Sequence, residues 1–202
     1  MIHLDVHIDD FDLQQALAEV SVQRREQALR YRQERDQRLC VASYRLLQRA
    51  LKAEGYDIEP LPRFVYDQRG KPSLEGHPDI HFSISHCREA VALALNDQPV
   101  GIDIETMEHY SEEVAARVMS GKEMEEIKAS HHPAQAFTRL WTMKESLFKL
   151  TGDDNGGDVA HMLDDTSRVR FMTFDDPQFV VSVCRYLHAD RLDFSLEIVS
   201  VT

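Results

Sequence analysis

The chain has 202 residues, of which 43% are hydrophobic and 29% are charged, and its formal net charge is −12. This apolar content is enough to build a core, which excludes an intrinsically disordered chain. No stretch reaches the roughly 18 consecutive apolar residues of a membrane span, and the acidic excess disfavours general nucleic-acid binding. The three cysteines lie far apart and predict neither a disulfide framework nor a zinc site. We therefore expect a cytoplasmic globular protein that binds neither membrane nor nucleic acid.

Positive charge is concentrated in one segment of this acidic protein. Residues 22–52 carry nine arginines and lysines against three acidic residues, whereas residues 1–21 carry five acidic residues and no lysine or arginine. We call residues 22–52 the basic strip. Such a strip is suited to binding a discrete anion or an acidic partner, although an ordinary solvated helix face has the same composition.

Apolar periodicity predicts an ordered series of strands and helices. Residues 2–8 alternate as in a half-buried strand, and residues 39–51 have helical spacing that ends at Gly55. Strands are predicted at 80–86, at 91–95 and within 98–105. The longest predicted helix covers 134–150, between Pro133 and Gly152, and closing strands are predicted at 169–174, 179–187 and 192–201.

Two segments of the chain repeat at a spacing of 97 residues. The helical positions Tyr44, Leu51, Lys52 and Gly55 become Trp141, Phe148, Lys149 and Gly152, and the strand positions Ser85, Cys87 and Arg88 become Ser182, Cys184 and Arg185. Chance is the alternative explanation for these matches. The repetition otherwise predicts an α+β pseudo-dimer of two similar halves, residues 1–99 and 100–202, with ligand sites favoured in the cleft between them.

Two acidic residues share one face of the strand predicted within 98–105. Alternate side chains of a strand point to the same side, so Ile102 and Ile104 would face the core while Asp103 and Glu105 project together on the other side. Two carboxylates held this way repel each other unless a cation or a proton lies between them, and a hard divalent cation such as Mg²⁺ suits oxygen ligands. An exposed Asp-x-Glu on an edge strand is the plainer alternative.

A third acidic residue lies on the long helix. Glu145 and Lys149 are four residues apart and share a helix face with Trp141, the chain's single tryptophan. The plain interpretation is a surface ion pair worth a few tenths of a kcal/mol. If the tryptophan is buried, however, both charges lie at the edge of packed structure, where Glu145 could complete a metal site and Lys149 could meet an anion held by that metal.

Two short segments upstream carry further candidate anion-binding groups. In residues 82–87 (FSISHC), His86 at the end of a strand is able to donate to a phosphate, although a hydrogen-bonded core histidine is the more common outcome. Gly70 followed by Lys71 and Pro72 is typical of a tight turn that presents an ammonium group. Most such turns have no further role.

Taken in order, the motifs resemble those of a known family. Residues 70–72 (GKP), 82–86 (FSISH), 100–105 (VGIDIE) and 141–149 (WTMKESLFK) are similar to those of 4′-phosphopantetheinyl transferases of the surfactin-synthetase-activating type. The resemblance is specific over residues 20–152 and general over the last 50 residues. It implies a pseudo-dimer of two α+β halves, with coenzyme A and Mg²⁺, or alternatively Mn²⁺, at their interface.

The resemblance also implies a role for each matched residue. Asp103, Glu105 and Glu145 would be the metal ligands, and Lys149 would face the phosphates as a catalytic residue beside Glu145. Ser85 and His86 would hold phosphate groups of coenzyme A, and Lys71 and Pro72 would lie by its nucleotide. In the basic strip, Arg24 and Arg38 match positions where cations contact coenzyme A.

The implied reaction is the attack of a carrier-protein serine hydroxyl on the β-phosphorus of coenzyme A, which releases adenosine 3′,5′-bisphosphate. Glu145 is the candidate base for the hydroxyl proton, and Lys149 would steady the leaving oxygens. The basic strip is the predicted docking surface for an acidic acyl or peptidyl carrier protein, and the internal duplication makes a monomer sufficient. Two alternatives are a metal-dependent phosphodiester hydrolase and a non-catalytic relative that binds coenzyme A or the carrier.

Overall fold

The computed structural model describes residues 1–58 and 63–187. Its strands are β1 (Ile2–Asp5), β2 (Phe64–Tyr66), β3 (Pro72–Leu74), β4 (His81–His86), β5 (Val91–Asn96), β6 (Val100–Thr106), β7 (Val169–Asp175) and β8 (Phe179–Tyr186). Its α-helices are α1 (Leu13–Glu19), α2 (Val22–Ala28), α3 (Glu34–Ala53), α4 (Glu112–Val118), α5 (Gly121–Ala129) and α6 (Pro133–Thr151). The strand predicted at 192–201 lies outside the described residues. Among the described helices, none combines the length and the apolar character that crossing a membrane requires.

The first half packs α3 on a three-stranded antiparallel sheet with the order β1-β5-β4. Buried residues recur along α3 at helical spacing, among them Leu39, Leu47 and Leu51, and they join strand residues such as Leu93 in one core cluster. Acidic residues in the first turn of α3 and Lys52 in its last turn complement the helix dipole. Gly55, with φ of +81°, follows the end of the helix, where a left-handed backbone favours glycine.

The second half repeats this plan with α6 on a three-stranded antiparallel sheet ordered β6-β8-β7. Pro133 occupies the first turn of α6, where its missing N–H costs no hydrogen bond, and Gly152 caps the other end with φ of +69°. The fold is therefore α+β with two similar halves, each made of one long helix and one sheet, as the sequence predicts.

The spacing of 97 residues equates the helices of the two halves but not their hairpins. In each sheet the last strand of the half lies between the other two, so β4 corresponds to β7 and β5 to β8. The shift by 97 instead carries Ser85 of β4 onto Ser182 of β8. That strand match does not reflect the topology, because the connection from helix to hairpin differs in length between the halves.

A seam of small and branched residues joins the two halves. Ile2 and Leu4 of β1 and the alanines of β5 share one buried cluster with Ile102 and Ile104 of β6 and with Val181 and Val183 of β8. At the edge of the seam, β4 lies beside β6, and the amide of Ile102 donates to the hydroxyl of Ser83 at 3.1 Å. The opposite face of β6 is directed towards α6.

Gly101 of β6 lies very close to the backbone of α6. A methyl group at position 101 would overlap the carbonyl oxygen of Ser146 and lie 2.7 Å from the amide nitrogen of Leu150. Since these are backbone atoms of a helix, they have no side-chain rotamer with which to move aside. A residue without a side chain at position 101 is what allows α6 to lie against β6.

We predict that Gly101→Ala destabilises the protein by roughly 1–3 kcal/mol or more, because the added methyl group forces α6 away from its sheet. The free energy of unfolding from urea titration measures this. Gly121→Ala is the matched control, since a methyl group there comes within 4 Å of no described atom apart from its chain neighbours and the backbone of its own helix. Equal stability of the two variants would contradict the assigned contact.

Candidate active site

Three polar side chains from separate elements meet where the seam reaches α6. Asp103 of β6 accepts hydrogen bonds on one carboxylate oxygen, Oδ1, from the hydroxyl of Ser85 at 2.7 Å and from the ammonium of Lys149 at 2.6 Å. Lys149 Nζ also donates to Ser85 Oγ at 2.8 Å. The triangle thus combines β4 of the first half with β6 and α6 of the second.

Local structure explains why these side chains face one another. Alternation along β6 buries Ile102 and Ile104 in the seam and turns Asp103 towards α6, where its residue is only 2% exposed. The close approach at Gly101 brings the last two turns of α6 against this strand. Lys149 therefore reaches Asp103 with 27% of its side chain still exposed.

The second carboxylate oxygen of Asp103 has no hydrogen-bond partner in the part of the chain that the structure describes. Oδ2 is buried and accepts no hydrogen bond within the described residues, which is costly for a carboxylate oxygen. Carboxylate oxygens are the ligands that Mg²⁺ prefers, so a buried carboxylate oxygen left without a hydrogen bond by the described residues fits a hard divalent cation.

Glu105 and Glu145 are close enough to Asp103 for its negative charge to shift their pKa values. Burial and then the negative charge of Asp103 raise the pKa of Glu105 to about 7, Glu145 adds to this effect, and Lys149 opposes it. Burial and the negative charge of Asp103 raise the pKa of Glu145 as well, while the positive charge of Lys149 lowers it. The three carboxylates thus form one electrostatically coupled group whose internal counter-charge is Lys149.

The three carboxylates do not already form a closed ligand cage. Over residues 1–58 and 63–187, no group of three or more histidine, cysteine or acidic side chains is arranged to hold a metal ion as the side chains stand. Like charges repel one another, which favours keeping the three carboxylates apart. The assignment of Asp103, Glu105 and Glu145 as metal ligands therefore stays a prediction.

A cavity of about 560 Å³ opens beside this triangle. Its walls come from the β2–β3 turn with Lys71 and Pro72, from β4, and from the end of α6 with Phe148 and Lys149. The ammonium of Lys71 donates to the backbone carbonyl of Lys149 at 2.6 Å. The guanidinium of Arg69 donates to the backbone carbonyl of Gly152. The turn predicted at 70–72 is thus fastened to the carbonyl end of α6.

His86 follows Ser85 at the exposed end of β4. Desolvation by its surroundings, followed by the positive charge of Lys149, lowers the pKa of His86, while Asp36 in the first turn of α3 acts in the opposite sense. The ring is therefore near both Lys149 and the start of α3.

The two arginines proposed from the basic strip have protein partners. Arg24 is buried, its guanidinium lies 4.5 Å from the centre of the Phe64 ring, and it donates to the sulfur of Cys40 at 3.3 Å. Arg38 donates to Glu34 at 2.9 Å and to the carbonyl of Phe11 at 2.8 Å. The structure does not bring either group to the triangle, and their contact with coenzyme A stays a prediction.

Lys144 is a charged residue whose buried position the sequence did not indicate. It is only 1% exposed, and it forms an ion pair with Glu123 at 2.9 Å and donates to the carbonyls of Val159 and Ala160 at 2.8 Å each. It thereby ties α6 to the start of α5 and to the segment after Gly152. The available signal in the sequence was its position three residues after Trp141, which places both residues on the same side of the helix.

Comparison with known proteins finds similarity to 4′-phosphopantetheinyl transferases. Residues 99–198 match the model of the 4′-phosphopantetheinyl transferase superfamily. The chain is 29% identical over 210 residues to a 4′-phosphopantetheinyl transferase of Bacillus subtilis, covering 95% of this chain and 93% of that one. It is 31% identical over 154 residues to 4′-phosphopantetheinyl transferase Sfp of Bacillus subtilis strain 168, covering 75% and 68% of the two chains. It is 37% identical over 100 residues to 4′-phosphopantetheinyl transferase AcpT of Salmonella typhi, covering 47% and 52%.

We predict that Glu105→Gln stabilises the protein at pH 8 in the presence of EDTA. Because the pKa of Glu105 is raised to about 7 in the folded state from 4.5, ionisation costs folding free energy as pH rises from about 4.5 to 7. Relative to wild type, the variant should therefore gain on the order of 2 kcal/mol in free energy of unfolding at pH 8 and almost nothing at pH 4.5. This gain is smaller than the whole pKa difference implies, because the side chain is partly exposed to solvent.

Thermal unfolding at the two pH values measures this gain. Glu108→Gln, which removes an exposed carboxylate from the next turn of the chain, is the control and should change stability little at either pH. A gain for Glu105→Gln that is the same at pH 4.5 and pH 8 would contradict the raised pKa.

Proposed function

The chain belongs to the 4′-phosphopantetheinyl transferase superfamily, and from this premise we propose how its residues serve the reaction. It is an enzyme that transfers the 4′-phosphopantetheine group to carrier proteins. We propose that the active site lies at the interface of the two halves, divided at residues 1–99 and 100–202. The observation that carries this proposal is the meeting of Ser85 from one half with Asp103 and Lys149 from the other.

Members of this family use Mg²⁺ and coenzyme A, and we propose that Asp103, Glu105 and Glu145 hold the cation. Two observations support this set: Oδ2 of Asp103 has no hydrogen-bond partner among the described residues, and Asp103 raises the pKa values of both glutamates. When bound, the cation neutralises the pyrophosphate and the charge that develops on it, which is the largest expected contribution in phosphoryl-type transfer. Mn²⁺, which also prefers oxygen ligands, is the expected substitute.

Glu145 and Lys149 have complementary roles in the proposed transfer. The serine oxygen of the carrier bonds to the β-phosphorus as the bond from that phosphorus to the bridging oxygen breaks, and the hydroxyl proton passes to Glu145 as base. Adenosine 3′,5′-bisphosphate leaves with the electron pair of the broken bond. Lys149, one helical turn after Glu145 and partly exposed, supplies a compact positive charge to the departing oxygens.

The cavity beside the triangle is the proposed site of coenzyme A. Its volume of about 560 Å³ lies in the range of small-molecule sites, and it combines an apolar wall with two ammonium groups. We assign Lys71 and Pro72 to the nucleotide and His86 to the phosphate side, where the resemblance alone also places Ser85, since its hydroxyl bonds Asp103 and Lys149. Arg24 and Arg38 remain in the proposal through the resemblance alone, since their present contacts are with protein groups.

The basic strip is the proposed docking surface for an acidic acyl or peptidyl carrier protein. Several of its arginines are engaged by nearby acidic residues, as Arg35 is by Asp9 and Arg38 by Glu34. Arg30 and Arg32 are exposed and form no salt bridge within the described part of the chain, and they flank the exposed ring of Tyr31. These two residues are therefore best placed to attract an acidic partner.

We predict that incubation with coenzyme A, Mg²⁺ and an apo carrier protein adds one phosphopantetheine group to the carrier, as read by intact mass. Asp103→Asn should lower the rate by on the order of a hundredfold or more, because it removes a charged ligand of the cation. Asp79→Asn, which changes an exposed turn, is the control. Phosphodiester cleavage without a mass gain would favour the hydrolase, and coenzyme A binding without turnover would favour the non-catalytic relative. A wild-type rate for Asp103→Asn would contradict the metal assignment.

We also predict that Arg30→Glu with Arg32→Glu raises the KM for an acidic carrier severalfold without changing the KM for coenzyme A, and that the effect shrinks at high salt. Lys122→Glu with Lys128→Glu changes the net charge equally on the exposed surface of α5 and serves as the matched control. If the α5 pair raises the carrier KM and the Arg30/Arg32 pair does not, carrier docking belongs to the second half.

A further inference from the structure

We propose that Ser85 is a positioning residue for the metal ligand Asp103, which it orients from the opposite half of the molecule. This inference rests on the proposed function, because it assumes that Asp103 binds the cation. It differs from the assignment of Ser85 to a phosphate group of coenzyme A, and it concerns how the cation site is prepared before coenzyme A arrives.

The hydrogen bonds of Ser85 are already committed within the protein. Its hydroxyl donates its one proton to Asp103 Oδ1 at 2.7 Å and accepts from Lys149 Nζ at 2.8 Å. A hydroxyl has a single proton to donate, so Ser85 is unable to donate to a phosphate oxygen while it holds Asp103. The residue is also 9% exposed, which limits its access to a ligand.

Both partners of Asp103 bind the same oxygen and leave the other one available. Ser85 and Lys149 meet Oδ1, whereas Oδ2 is buried without a hydrogen-bond partner among the described residues. The terminal torsion of an aspartate is broad, so a carboxylate without fixed partners rotates between orientations. Two donors on Oδ1 fix that torsion, so the carboxylate keeps one orientation and Oδ2 stays available for a cation.

The effect of such an orienting group on metal affinity has a known scale. Residues that hydrogen-bond a metal ligand typically change affinity 10–100-fold when they are removed, because the ligand must then be ordered at the moment of binding. Lys149 is able to hold Oδ1 by itself, but its long side chain is partly exposed and is needed at the phosphates. The short, buried side chain of Ser85 is the more rigid of the two donors.

The neighbouring residue Ser83 offers a control for the seam itself. It lies two residues before Ser85 on the same face of β4, is similarly buried, and accepts a hydrogen bond from the Ile102 amide at 3.1 Å. Replacing Ser83 removes a seam hydrogen bond to the same strand, β6, without removing a donor to Asp103. Weakening of the seam and loss of orientation are thus separable.

The test measures Mn²⁺ affinity in the absence of coenzyme A, with free Mn²⁺ quantified by electron paramagnetic resonance. We expect Ser85→Ala to weaken Mn²⁺ binding about tenfold. Ser83→Ala should bind within twofold of wild type. The pair Ser85→Thr and Ser85→Val has one shape and differs in the hydroxyl group, so the threonine variant should retain Mn²⁺ affinity and the valine variant should lose it, even if the alanine variant folds poorly.

Three results would overturn the proposal. One is wild-type Mn²⁺ affinity in Ser85→Ala together with a raised KM for coenzyme A, which would assign the hydroxyl to the phosphate. Another is an equal loss in Ser83→Ala, which would assign the effect to the seam. The third is a wild-type protein that binds no Mn²⁺ without coenzyme A. Absence of carrier modification by wild type, with the Ser85 effect on Mn²⁺ intact, would instead contradict the proposed function alone.

Discussion

The close contact between Gly101 and α6 is the constraint on which the rest of the site depends. Because position 101 has no side chain, the helix lies against β6 closely enough for Lys149 to reach Asp103. The hydroxyl of Thr142, two turns earlier in α6, hydrogen-bonds that of Ser182 on β8 at 2.7 Å and holds the helix at a second point. The glycine of the VGIDIE motif therefore acts through packing, and the acidic residues that follow it act through charge.

The motif on α6 contains two lysines with opposite surroundings. Lys144 is enclosed by Glu123 and two backbone carbonyls, an arrangement that satisfies all three of its N–H groups and offsets the cost of burying the charge. Glu123 also caps the start of α5 by accepting from the Ser120 amide at 2.7 Å. Lys149 remains partly exposed and is the internal counter-charge of three carboxylates. One lysine fixes the helix among its neighbours, and the other is left available for chemistry.

The long elements could be predicted from the sequence because their periodicity is strong. The two long helices and the strands β4 to β8 occur close to their predicted positions. The helices α1, α2, α4 and α5 were not predicted, since each has only seven to nine residues and depends on capping and tertiary packing for stability. The strand part of the 97-residue repeat was wrong because matching letters do not reveal the order of strands in a sheet.

Alternation along one strand was sufficient to place Asp103 opposite the core face of Ile102 and Ile104. The contact between Asp103 and Ser85 could not be predicted, because it depends on how β4 and β6 lie across the seam, which no local pattern encodes. The burial of Arg24 among Phe64, Tyr44 and Cys40 likewise depends on tertiary packing. Sequence patterns thus gave the candidate groups, and the fold determined which of them meet.

Anomalous diffraction at the manganese edge, from crystals of the protein grown with Mn²⁺ and coenzyme A, locates the cation and so tests the proposed ligand set. We expect one strong peak at the seam, roughly 2.0–2.2 Å from carboxylate oxygens of Asp103, Glu105 and Glu145, the distance expected for a small divalent cation. A peak elsewhere, for example at the acidic residues 153–158, with Asp103 still held only by Ser85 and Lys149, would contradict it.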